Sequence, residues 1–146
     1  MIYSLVLLNK PVINSDKNEK MGRVKGYVID PVQKRVIALL LAPDTEKGSL
    51  DVIPFASVKS VYDNAVITEN LPSPVPITDA QEILNVFLKD IAVIGAQVLT
   101  DTGMLAGSVR DFAFSERSGE ITQLSLTPEK PDIARIDAKY ILKITQ

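Results

Sequence analysis

The chain has 146 residues, of which 46% are hydrophobic and 23% charged, a globular balance rather than a disordered one. It contains no cysteine, histidine or tryptophan, which excludes disulfides, thiolate metal sites and Ser-His-Asp or Cys-His catalysis within one chain. The net charge is −2, made of +1 over residues 1–70 and −3 over residues 71–146, so neither half has the basic excess of a nucleic-acid binder.

The N-terminal run "IYSLVLL", residues 2–8, has seven residues, far short of the ~20 that span a bilayer. It also lacks the basic flank and cleavage pattern of a signal peptide. It is expected to form a strand or docking segment, and the protein is expected to be cytoplasmic. A strand at Val12-Ile13 follows, then the polar turn "NSDKNEK" and a longer strand, "MGRVKGYVID", with Gly22 marking a bulge or sharp bend. "DPVQKR" is a turn, and "VIALLL" is a strand apolar on both faces through Leu39, Leu40 and Leu41, hence covered on both. Pro43 opens a loop. A short strand, the turn-like "PFAS", a further strand and a hairpin around Asp63-Asn64 complete the first half.

Pro72, Pro74 and Pro76 predict an extended linker. Thr78 and Gln81 read as a capping box opening a helix over residues 79–89. Ile83, Leu84, Phe87, Leu88 and Ile91 fall on one helical face, which predicts packing on the strands or between the two halves, with a partner-binding amphipathic helix as the alternative.

The second half repeats the first. At a spacing of 85, Gly22 falls on Gly107, Val24 on Val109, Tyr27 on Phe112, Ile29 on Phe114, Val36 on Ile121 and Leu39 on Leu124. Upstream, Val12 falls on Val98 after a one-residue length change; downstream, at a spacing of 83, Ile53 falls on Ile136, Val58 on Ile141 and Val61 on Ile144. Many short strands with turns every 8–12 residues point to small barrels or sandwiches.

The segments "KPV", "GRVKGYVID" leading into "DPVQKRV", and "IPFASVKSV" with its hairpin resemble a PRC-barrel domain. This is the small β-barrel of the reaction-centre H subunit's cytoplasmic part and of the C-terminal half of the ribosome-maturation protein RimM. Residues 92–146 resemble a second such domain. The expected fold is therefore all-β: two tandem PRC-like barrels, at residues 1–70 and 92–146, joined by a linker and one short helix at 71–91. The second copy has no counterpart of the "DNAVIT" hairpin strand. Two explanations are open: an edge left for residues 2–8 to cover from the same or another chain, or a longer natural chain that supplies the strand.

Tyr27 and Ile29, with their equivalents Phe112 and Phe114, are spaced by two and share a strand face. They are the candidates for packing between the two barrels, with Val24, Val28, Val109 and Ala113 expected on the opposite face. Lys17, Lys20, Arg23, Lys25, Lys34 and Arg35 form a candidate basic surface. Asp16, Asp30, Asp101, Asp111 and Glu116 sit at turns or strand ends, where carboxylates cap their own backbone, and no pair is spaced for acid–base work. No catalytic residue, metal or cofactor is assigned. The expected function is a non-catalytic protein-interaction or scaffold module, with another protein as partner and self-association as a homodimer open. The resemblance to RimM implies RNA or the ribosome as the alternative partner.

Overall fold

The computed structural model describes residues 1–42, 50–69, 74–89, 92–128 and 135–137. In chain order the elements are β1 (Ile2–Tyr3), α1 (Ser4–Leu7), β2 (Pro11–Asn14), β3 (Glu19–Asp30), β4 (Arg35–Ala42), β5 (Asp51–Pro54), β6 (Val58–Val61) and β7 (Val66–Thr68). There follow β8 (Val75–Pro76), α2 (Gln81–Phe87), β9 (Gln97–Leu99), β10 (Leu105–Phe114), β11 (Ile121–Pro128) and β12 (Arg135–Asp137). Single 3-10 turns occupy Phe55–Ser57, the expected "PFAS" turn, and Ile77–Asp79. Pro43, Pro72, Ile91, Ile141 and Ile144 lie outside the described residues.

The chain is all-β, built on two sheets. The first runs β6-β7-β2-β3-β4-β5-β8. Its pairings are antiparallel except β2–β7, which is parallel, with Val12 opposite Val66 and Asn14 opposite Thr68. The second runs β1-β10-β11-β12, with β9 also on β10.

The repeat read at spacings of 85 and 83 is reproduced in the strand registers. Val24 pairs with Leu41 and Val109 with Leu126; in each ladder the next residue, Lys25 or Arg110, bulges out. A second bulge lies between Val28 and Ile29, and its counterpart between Ala113 and Phe114. Leu39 pairs with Ile53 and Leu124 with Ile136. Val12 meets Gly22 and Val98 meets Gly107, each beside a further bulge. Gly22 adopts φ +140°, and a Cβ there would stand 2.7 Å from the Ala42 carbonyl oxygen, so only glycine lets the strands approach at this bend.

The bulges correct the expected facing of Val24 and Val109. A bulge inserts one residue and shifts the two-residue alternation by one step. Val24 therefore joins Tyr27 and Ile29 on the inner face, and Val109 joins Phe112 and Phe114, all in one hydrophobic cluster. Val28 does lie on the opposite face, with Ala38, Leu40 and Val52. Leu39 and Leu41 point into the main cluster while Leu40 points away, and all three are buried. The main cluster is not divided between the halves: it runs from Val12, Leu39 and Ile53 of the first sheet to Phe112, Phe114 and Leu126 of the second.

The linker and helix differ from expectation in three ways. Val75–Pro76 pairs along β5 instead of running free; proline is tolerated there because an edge strand leaves its missing N–H unneeded. Thr78 does not cap a helix. It lies in the 3-10 turn, closed by the Ala80 N–H donating to Ile77 O (3.1 Å), and α2 starts at Gln81 with no side-chain cap. The cause is Ile77, which is buried against Val28 and Leu40 while its N–H donates to Leu50 O at 2.9 Å. This anchor fixes the segment before a helix can open. Ile83, Leu84 and Phe87 then pack on the outer face of the first sheet, whereas Leu88, just past the helix end, is 67% exposed.

Among the described residues the second sheet has no such apolar outer face. The positions equivalent to Val28, Ala38, Leu40 and Val52 are Ala113, Gln123, Ser125 and Arg135. The N-terminal segment lies on this sheet instead: Ile2 pairs with Phe114 and Tyr3 with Ala113. The Tyr3 hydroxyl donates to Gln123 Oε1 and the Ser4 hydroxyl to Asp111 Oδ1, each at 2.6 Å. Residues 2–8 thus dock on the second half within one chain, alongside β10 and not on the outer side of β9.

Candidate interaction site

The candidate packing residues meet. The Tyr27 ring lies edge-on to Phe112 and Phe114, at centroid distances of 5.6 and 5.5 Å, and Phe112 and Phe114 are 6.1 Å apart. Ile29 is buried in the same cluster. Phe55, in the 3-10 turn that follows β5, adds a further edge contact to Phe114 at 5.8 Å. Edge-to-face geometry lets the positive rim of one ring meet the negative face of the next. Tyr27 donates its hydroxyl to Ser4 O at 2.6 Å, satisfying the one polar atom that the aromatic core would otherwise strand.

Burial, and secondarily the Asp111 carboxylate, push the Tyr27 phenol above its ordinary range. A raised acid favours the neutral form in the folded state. Its contribution is complete below the unfolded phenol value of about 10 and is lost as pH rises further. In an alkaline titration followed at 295 nm, one tyrosine should therefore ionise only as the fold opens, and Tyr27→Phe should remove that late step.

The halves also join through their equivalent hairpin turns. Val36 N–H donates to Gly119 O (2.8 Å), and Ile121 N–H donates to Lys34 O (3.0 Å). Shifting either bond by 85 residues produces the other, so the contact is reciprocal, as around a two-fold axis. Arg35 and Glu120, themselves 85 apart, form the bridge between the turns. The turns share their internal construction. Asp30 Oδ1 accepts from the N–H groups of Val32 and Gln33, and Ser115 Oγ from those of Arg117 and Ser118. Lys34 at φ 54° matches Gly119 at φ 78°.

The basic candidates do not gather on one face. Lys17 and Lys20 lie toward the β2–β3 hairpin, and Lys34 and Arg35 at the β3–β4 turn on the opposite end of β3. The Arg23 guanidinium donates to Asn9 O (2.9 Å) and that of Arg35 to Ser118 O. Arg23 and Lys25 do border one open depression of 360 Å³ with Leu8, Asn9, Val24 and Ala42. Among the carboxylates, Asp111 Oδ1 also accepts from the Leu5 and Phe112 N–H groups. The Met1 ammonium, 2.6 Å from Glu116 Oε2, holds that carboxyl below its ordinary value. Asp16 and Asp101 lie in the two hairpin turns. Among the described residues no group of three or more carboxylates is placed to hold a metal ion, and no helix is long and apolar enough to cross a membrane.

A surface that the sequence reading passed over is the β9–β10 hairpin. Leu99 is 59% exposed, Met104 56% and Leu105 40%, and Leu99 and Leu105 are direct cross-strand partners. The equivalent residues of the first half are Ile13, Glu19 and Lys20. The signal lay in the repeat itself: comparing where the copies differ, rather than where they agree, shows a charged pair exchanged for an apolar pair at an exposed site.

Two sheets with matching registers and reciprocal turns define a small all-β module. Residues 2–73 match the family model described as PRC-barrel domain, and this part of the chain belongs to that family. Among curated proteins none matches the sequence significantly.

Proposed function

We propose that the protein is a non-catalytic interaction module, in which paired PRC-like halves form a rigid support and the β9–β10 hairpin offers a docking surface to another protein in the cytoplasm. The observation that carries this reading is the presentation of Leu99, Met104 and Leu105 to solvent from a hairpin whose twin carries charge. Clustered exposed apolar side chains on a well-packed scaffold mark contact surfaces. The alternative of RNA or the ribosome draws no support from Arg23 and Arg35, whose guanidinium groups are engaged by the chain's own carbonyls.

The test compares immobilised wild-type protein with the Leu99→Lys/Leu105→Lys double variant after both show native circular dichroism. A defined protein should be retained by the wild type at about 0.5 M salt, where screening removes exposed charge contacts. The variant should capture at least about tenfold less of it, as expected when an apolar contact centre is charged. Equal capture by both proteins overturns the proposal, and so does capture of ribosomal subunits that high salt releases.

A further inference from the structure

We infer that β9 is an acceptor edge for an extended segment of another protein, which adds to the second sheet as a strand parallel to β9 and carries β-branched residues two apart. The inference rests on the interaction reading above and specifies its geometry. The chain contains its own template. On the first sheet, β7 lies parallel to β2 and places Val66 beside Val12 and Thr68 beside Asn14. All four of these residues are buried, Val12, Val66 and Thr68 with no exposure.

β9 is the equivalent of β2. Val98 stands where Val12 does, opposite a glycine beside a bulge in the same register. Yet Val98 is only half-buried and Thr100, the counterpart of Asn14, is exposed. Among the described residues β9 pairs with β10 alone. The inward bonds of this strand are made around Gln97 and Leu99: Ala96 O accepts from Val109 N–H and Thr100 N–H donates to Met104 O. Strand alternation therefore turns the main-chain groups of Gln97 and Leu99 outward. In the first half, the outward Ser15 N–H donates to Thr68 O at 2.9 Å, continuing the β2–β7 ladder.

Edge strands that are meant to stay solvated usually carry lysine, proline or a charge pointing into the would-be contact. β9, of sequence Gln-Val-Leu, carries none. The chemistry of the occupant follows: main-chain hydrogen bonds for affinity and small β-branched side chains over Val98 for specificity. A second copy of this chain is disfavoured as occupant. Two β9 strands related by a two-fold axis would pair antiparallel, contrary to the template.

The experiment is amide hydrogen exchange by NMR on the full chain, with and without an acetylated, amidated peptide of residues 64–69, Asn-Ala-Val-Ile-Thr-Glu. In the free chain the Gln97 and Leu99 amides should exchange freely. The peptide should slow them by at least about tenfold, the signature of a new ladder, and cross-peaks should place its Val beside Val98. Leu99→Pro, which removes an outward N–H, should abolish the effect; Leu99→Lys serves if the proline variant misfolds. The inference fails if those amides are already protected in the free chain, if protection grows with chain concentration alone, or if the peptide changes nothing. Should the peptide fail while the double lysine variant still loses its captured protein, the strand geometry is wrong and the docking surface stands.

Discussion

Phe112→Ala is expected to lower the stability of the fold by about 3–5 kcal/mol, the usual cost of deleting a buried aromatic. The ring is 2% exposed. It also contacts Tyr27 across the two sheets and Phe114 along its own strand. The loss thus combines a cavity in a shared core with two ring contacts, each worth about 0.5–1.5 kcal/mol beyond area. For a chain of this length the melting temperature should fall by more than about 6 °C. Because the cluster includes residues of both sheets, the transition should remain single, with probes in either half reporting the same midpoint. Separate midpoints would show that the halves hold themselves together independently. Val32→Ala makes a suitable control: this residue is 82% exposed, and the change should stay within about 0.5 kcal/mol.

The second large effect is expected at Gly119. Its φ of +78° is one that side-chain-bearing residues adopt at a cost, and a Cβ would stand 2.4 Å from Val36 O and 3.0 Å from the Phe55 ring. The first obstacle is backbone of the other half, which does not move aside as a flexible side chain would. Gly119→Ala should therefore cost about 2–4 kcal/mol, the strained backbone accounting for about 1–3 of it. It should also open the reciprocal turn contact, seen as faster exchange of the Val36 and Ile121 amides. The opposite exchange at the equivalent position, Lys34→Gly, should change stability by less than about 1 kcal/mol, because glycine suits the positive φ already present there. Equal effects at the two positions would mean that the turns are not packed as described.

Most of the architecture was legible because the repeat preserves registers. Gly22 and Gly107, Val24 and Val109, and Ile53 and Ile136 could be paired from spacing alone, and each pair occupies matching ladder positions. The facing of Val24 was not legible. A single extra residue at Lys25 reverses the alternation, and nothing in "RVKGY" announces which residue bulges. The end of the linker was misread for a related reason. Thr78 and Gln81 satisfy the local pattern of a cap, but Ile77 is claimed by the hydrophobic cluster of the first sheet, and tertiary burial overrides a local preference. The candidate site lies where the two copies differ, and so was not legible from their likeness. Matching copies by likeness discards Met104 and Leu105, whose meaning lies in their unlikeness to Glu19 and Lys20.

The reciprocal bonds between the β3–β4 and β10–β11 turns make the molecule resemble a dimer fused into one chain. In a dimer of identical subunits any surface change appears twice, and a self-complementary or strand-accepting rim then gives a divalent particle able to link others in series. Fusion removes that constraint. Met104 and Leu105 have no apolar counterpart at Glu19 and Lys20, so each chain presents that rim once where a dimer of identical halves would present it twice.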